Sequence, residues 1–304
     1  MSTTADTASD GTATTVPDTA PPSPAAAAPR PAEGWRRYLH AARRPRGAVG
    51  LSLLGLLVLA ALLVPVLSDG YDQQSATTFV SPSWSHPFGT DELGRDIFVR
   101  TLYGLRSDLV LLFVGVPVAA VVGTLLGIAG GLSRWLGMFL QRVFDVILGF
   151  PGLVLGIVIA LILQPGVSAL LLTIVIVLLP GYGRLARAAL LTQEQREYVL
   201  AARVLGVPRW RVLLRHILPN ALDPIIVHTA IAMVVAVFLE TGLSLVGLGI
   251  QPPQPSLGTL LNTGVRFLSL APLYVLGPTV ILLLLALAFS LLSDALNEAV
   301  TRTS

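Results

Sequence analysis

The chain has 304 residues, 54% of them hydrophobic, and a mean hydropathy of +0.77, which excludes an ordinary soluble domain. Its net charge is +3, and every basic residue is arginine. Without lysine it cannot carry a standard Walker A loop, and without cysteine it has no disulfide, iron–sulfur cluster or thiolate zinc site.

Residues 1–33 are rich in Ala, Thr, Pro and Ser, a composition that cannot bury a core, so a disordered cytoplasmic tail is expected. They do not read as a secretory signal, because the positive region and the apolar segment come later. Arg36, Arg37, Arg43, Arg44 and Arg46 then flank the first apolar run and hold the N-terminus inside by the positive-inside rule. A first span is expected over about Val49 to Leu67, with Pro65 near its outer end, where a lost hydrogen bond costs least.

Asp69 to Arg106 reads as a polar external segment. Its carboxylates Asp91, Glu92 and Asp96 invite a metal site, but calcium-loop spacing is missing. The interleaved Arg95, Arg100 and Arg106 favour internal pairing within a helix lying on the outer membrane surface.

The second span is placed at about Leu109 to Gly131. Gly123, Gly127 and Gly131 share one face, which suits close helix packing; a general Gly and Ala bias would give the same spacing. Arg134 and Arg142 mark a cytoplasmic return. The third span, about Phe144 to Leu163, carries Asp145 one turn inside its start, as a helix-terminus carboxylate or an ion-coupling group. Pro151 should kink it. Gln164-Pro165-Gly166 makes an outer turn, and the fourth span runs from about Val167 to Tyr182 before Arg184 and Arg187.

Thr192 to Asn220 is an arginine-rich island too charged to lie in lipid. Thr192 and Gln195 form a capping box for a first short helix, which Gly206 stops and Pro208 follows. A second helix puts Trp210, Leu213, Leu214 and Ile217 on one face and Arg211 and Arg215 on the other, and Pro219 ends it. Asp223 and Pro224 then start a fifth span reaching about Val246, with His228 near its inner edge and Glu240 near its outer edge, neither with an evident partner. The Pro and Gly density of Glu240 to Gly258 excludes a straight helix. A sixth span follows at about Tyr274 to Leu292. Four of the twenty arginines (Arg95, Arg100, Arg106, Arg266) fall outside and the other sixteen inside, which puts both termini in the cytoplasm.

The island resembles the EAA loop of permease subunits in ATP-binding-cassette importers, on Ala201, Ala202, Gly206, Leu218 and Pro219. Leu200 stands where that family has Glu, and His216 where it has Ile; Glu197 lies near enough on the same helix to supply the charge. The ending Arg215 to Asn220 is similar to the dipeptide, oligopeptide and nickel branch. So are His86 to Leu109, through Gly89, Thr90, Asp91, Gly94, Arg95, Asp96, Arg100, Gly104 and Arg106, and the stretch Glu240 to Gly258. The likeness implies an all-α permease domain over residues 34–304, with about six transmembrane helices and a cytoplasmic coupling loop. It implies a second related permease, two ATPase subunits that alone bind ATP, an extracellular or periplasmic binding protein and the bacterial inner membrane. Glu197, Ala201, Ala202, Arg203, Gly206, Arg211, Arg215 and Pro219 are then the expected ATPase contacts. No cofactor or nucleic acid is expected on this chain. The implied cargo is a di- or oligopeptide, with nickel-chelate and glutathione as alternatives.

Two other classes are weighed by the residues themselves. A partner-free amphipathic pair on the membrane surface would also be basic, but would not need the small Ala201 and Ala202. A secondary transporter should show repeated halves and midplane charges, and a membrane enzyme a reactive constellation; His40, His86, His216 and His228 are scattered.

Overall fold

The structure is a computed structural model that describes residues 42–195, 199, 208, 211 and 218–301. Among them the fold is all-helical, with a single isolated bridge between Thr90 and Asp96 and no strand. In chain order the helices are α1 (Pro45–Leu67), α2 (Ile97–Ala129), α3 (Arg134–Leu148), α4 (Gly152–Leu163), α5 (Val167–Glu194), α6 (Leu218–Leu245), α7 (Leu257–Gly264) and α8 (Leu273–Thr301). Five of them (α1, α2, α5, α6 and α8) are long and apolar enough to cross a membrane, and the bent pair α3–α4 makes a sixth crossing if it is one span.

The core lies where α2, α5, α6 and α8 meet. Leu105, Leu112 and Val116 of α2 pack with Ile174 and Tyr182 of α5, Ala236 and Leu243 of α6, and Leu285 and Phe289 of α8. The outward faces are also apolar, with Leu59, Val121, Leu125, Val280 and Leu283 exposed. A helix apolar all round belongs to a membrane rather than to water. Gly123 and Gly127 lie on the packing face of α2, whereas Gly131 falls past the end of that helix. A Cβ on Gly123 would stand 2.7 Å from the Leu179 carbonyl of α5, and one on Gly127 would overlap the Gly183 carbonyl. Close backbone approach, rather than compositional bias, is their use.

Several expected boundaries move. α2 begins at Ile97, where the Asp96 carboxylate accepts from the Val99 N–H at 3.0 Å, and runs 33 residues. At 1.5 Å per residue that is about 50 Å, beyond a hydrocarbon core of about 30 Å. The expected outer-surface helix is therefore the outer end of this span. α5 continues past Tyr182 to Glu194, α6 starts at Leu218 with Pro224 inside it, and α8 reaches Thr301. Asp223 thus does not cap α6. Pro219, expected to end the second loop helix, lies in the first turn of α6.

The expected kink at Pro151 is a full break, with α3 and α4 meeting at 92°. Pro151 has no N–H to continue the ladder and disfavours helical backbone at Phe150, so Gly149 to Pro151 turns the chain. Asp145 consequently lies in the last turn of α3, not near a helix start. The Val246 to Ser256 stretch is non-helical as expected: Gly247 has φ +82° and the Pro252–Pro253 bond is cis. Ser256 then caps α7 in a reciprocal box, accepting from the Thr259 N–H at 3.1 Å while the Thr259 hydroxyl accepts from the Ser256 N–H at 2.9 Å.

Candidate functional site

Three clusters carry the polar chemistry: one at the C-terminal end of α5, one ahead of the N-terminus of α2, and one between α2, α6 and α7. In the first, Arg184 reaches Asp145 of α3 at 2.5 Å, and Arg142 stands 3.7 Å from the same carboxylate. Two arginines offset the unfavourable placing of an acid at a helix C-terminus. Arg187 donates to the Gly130 carbonyl at 2.8 Å, beyond the end of α2, and Phe144 packs on Gly183. The Tyr182 hydroxyl and that of Thr229 on α6 are 3.2 Å apart, and the Tyr182 ring meets His228 edge-on at 4.8 Å. His228, unpartnered on sequence grounds, therefore has an aromatic neighbour. These contacts join α5 to α2, α3 and α6 just before the chain enters the island.

Of the island itself, Glu197, Ala201, Ala202, Arg203, Gly206 and Arg215 lie outside the described residues. Arg211 is exposed and its N–H donates to the Pro208 carbonyl at 3.0 Å. Val199 is fully buried. The expected Thr192–Gln195 capping box is overturned. Thr192 lies inside α5 with its hydroxyl donating to the Ala188 carbonyl at 3.0 Å, and Gln195 follows the last residue of that helix. The helical register of α5 outlasts its apolar run, so a cap-like residue sits in the last turn of that helix and bonds backward.

Outside α2, Asp91 is fully buried and organises its segment. One carboxylate oxygen accepts from the N–H groups of Leu93 and Arg95, both at 2.9 Å, and the other from Arg95 Nε at 2.7 Å, with Arg100 Nε at 3.6 Å. Arg95 also reaches Asp72 at 3.2 Å and Glu92 at 3.4 Å. Burial works against the Arg95 charge, but the bonds and attraction from Asp91, with Asp72 and Glu92, more than offset it and hold the guanidinium above its ordinary value. Asp96 pairs with His86 at 2.8 Å as well as capping α2. The carboxylates engage arginine, histidine and backbone, as their interleaving suggests. Arg106 stays out of this network.

The third cluster escapes the sequence reading. Glu240, near the C-terminal end of α6, is 2% exposed and has partners: it accepts from the Ser244 hydroxyl at 2.7 Å and from that of Thr241 at 3.4 Å. Asp108, 5% exposed, accepts from the Leu257 N–H at 3.1 Å. A carboxylate one residue ahead of the span assigned at Leu109 was the available signal. Nearby, Tyr71, Tyr103, Arg106, Ser107, Ile250 and Gln254 border an outward cavity of about 340 Å³.

The described residues form an all-helical bundle whose long helices are apolar enough to cross a membrane, with the polar contacts gathered at and between helix ends. Residues 119–303 match the family of binding-protein-dependent transport system inner membrane components. The chain belongs to that family. It is 37% identical to the dipeptide transport system permease protein DppC of Alkalihalophilus pseudofirmus, over 87% of this chain and 88% of that one. It is 35% identical to the di/tripeptide transport system permease protein DppC of Pseudomonas aeruginosa, over 88% and 90%. It is 34% identical to the glutathione transport system permease protein GsiD of Pectobacterium atrosepticum, over 88% and 89%.

Proposed function

We propose that this chain is the permease subunit of an ATP-driven importer for di- or oligopeptides, and that residues 192–220 are where separate ATPase subunits take hold. The observation that carries the coupling is α5. It is one helix from Val167 to Glu194, and its inner end is fastened to α3 by Arg184–Asp145 and to the end of α2 by Arg187–Gly130. A displacement applied to the loop is passed to three membrane helices without an intervening hinge. Glu197, Ala201, Ala202, Arg203, Gly206, Arg211, Arg215 and Pro219 are the contacts assigned to the ATPase. ATP belongs to those partners, and this chain contributes no cofactor. A second related permease completes the path, and a binding protein delivers cargo from outside. Both termini face the cytoplasm, in keeping with the arginine asymmetry. The peptide cargo is supported by the names of the relatives; glutathione, itself a peptide, has the same chemistry. ATP and loaded binding protein shift the inward–outward balance only as far as each favours one state.

The test is ATP-dependent dipeptide uptake by the four-subunit complex reconstituted in vesicles with its binding protein. Gly206→Val, which places a branched side chain where the sequence calls for a left-handed stop, should cost about 1 kcal/mol or more locally. It should abolish stimulated ATP hydrolysis and uptake while leaving permease pairing intact. Normal coupled uptake by this variant would remove the loop as the docking element. Failure of the native complex to take up any peptide would remove the cargo.

A further inference from the structure

The outer flank of α1 and α2 is notched, and one cation closes the outer end of the notch. Ala61 of α1 and Leu109 of α2, both buried, form the floor, while Leu62, Val110 and Phe113 form exposed walls. The trough has a volume of about 330 Å³, and Arg106 borders it. Arg106 also borders the second, more polar cavity beside Tyr71, Tyr103 and Ser107. The guanidinium therefore stands between an apolar trough and an aromatic, hydroxyl-bearing ledge.

Its depth and its charge define the ligand. Arg106 is followed by 23 further residues of α2, about 35 Å of helix, close to the thickness of a hydrocarbon core of about 30 Å. That sets Arg106 at headgroup level on the outer side, with tyrosines beside it as at other membrane interfaces. Phe113 lies two turns deeper. The neighbouring acids are engaged elsewhere: Asp108 accepts from Leu257, and Asp72 pairs with Arg95 and Arg100. Among the described residues the Arg106 guanidinium has no ion-pair or hydrogen-bond partner. A snorkelling arginine alone needs no trough beneath it, and a free phosphate would leave the trough unused. An amphiphile with an anionic head and a long apolar chain uses both.

We propose that this groove holds an outer-leaflet glycerophospholipid, its phosphate on Arg106 and one acyl chain along Leu62, Ala61, Val110 and Phe113. The lipid bridges α1 and α2. The groove requires only that these helices cross the membrane, its outer-leaflet placement rests on the orientation proposed above, and neither depends on cargo.

The full chain, purified in mild detergent and supplied with phosphatidylglycerol, tests it by native mass spectrometry during stepwise delipidation. One phosphatidylglycerol should persist, and Arg106→Gln should lower its apparent affinity about tenfold through loss of the charge-assisted bond. Leu62→Ala, at a side chain 63% exposed and so peripheral to the fold, should weaken retention with Arg106 still present. Arg142→Gln, at the inner side, should retain lipid as the native chain does. Diacylglycerol with the same chains should wash off, and excess inorganic phosphate should not displace the lipid. Equal retention by Arg106→Gln, equal retention of diacylglycerol, displacement by inorganic phosphate, or a matching loss in Arg142→Gln would each overturn the proposal. Melting temperatures of the variants separate lipid loss from unfolding.

Discussion

The carboxylate of Asp108 accepts the backbone N–H of Leu257 at 3.1 Å, joining the outer part of α2 to the first residue of α7 across 149 positions of sequence. A helix leaves its first N–H groups without internal partners, and here a distant side chain serves one of them. One turn earlier on α2, Gly104 supplies the room: a Cβ there would stand 2.9 Å from the Ser256 carbonyl carbon and 3.0 Å from the Leu257 nitrogen. The start of α7 is thus seated by a gap and a hydrogen bond on the same helix face.

Gly104→Val should unseat α7, because the obstructing atoms are backbone and cannot rotate away. The expected loss is about 1–3 kcal/mol, read as a lower melting temperature in detergent. Asp108→Ala should cost about 1–3 kcal/mol by leaving a buried N–H unpaired, and Asp108→Asn less, since an amide oxygen still accepts. Unchanged melting of both Gly104→Val and Asp108→Ala would show that this contact does not hold the segment.

On the opposite part of α2, Gly127→Leu should separate α2 from α5 and destabilise the fold by about 1–3 kcal/mol. Gly131→Ala should be milder, since its added carbon would meet the end of the flexible Leu190 side chain. Gly55→Ala on α1 meets nothing within 4 Å and should gain up to about 1 kcal/mol from helix propensity. Equal effects at Gly127 and Gly55 would return the glycine spacing to compositional bias.

Thr192→Ala discriminates between the cap expected from sequence and the backward bond found in the structure. Loss of an N-cap would cost about 1 kcal/mol. Loss of a hydroxyl bonded to the carbonyl four residues earlier should be neutral or slightly stabilising. Thermal unfolding of this one variant decides it, and a drop near the cap value would restore the capping box.

The Arg184–Asp145 pair is about half exposed on both sides. A double-mutant cycle with Arg184→Ala and Asp145→Ala should therefore return a coupling of only about 0–1 kcal/mol, declining with added salt. A coupling several times larger and insensitive to salt would mean the pair is sealed from water in the assembled complex.

Span number, loop polarity and the pairing of Asp91 with Arg95 were legible in sequence, because they depend on apolar run length and on charges a turn apart. Where helices end was less so. Apolarity marks how much of a helix lies in lipid, whereas α2, α5 and α8 continue beyond it on charge-bearing stretches such as Ile97 to Arg106 and Arg184 to Glu194. The same mismatch turned Thr192 into an apparent cap and Asp145 into an apparent helix opener. Asp108, Gly104 and Leu257 were out of reach for another reason: their relation is tertiary, and no local period encodes it. The ATPase-contact residues were legible only by resemblance, and most lie outside the described residues.

The right-angled break between α3 and α4 also bears on how the chain enters the membrane as it is made. α4 has 12 residues, about 18 Å of helix, which is well short of a hydrocarbon core of about 30 Å. α3 cannot make up the difference in line, since it turns away by 92° and carries Arg134, Arg142 and Asp145. Newly synthesised α4 therefore has no stable resting place as a lone segment. It must wait for α5, which follows after only Gln164, Pro165 and Gly166 and packs against it through Gly156 and Thr173. The two should therefore enter as a hairpin, the longer helix supporting the shorter one.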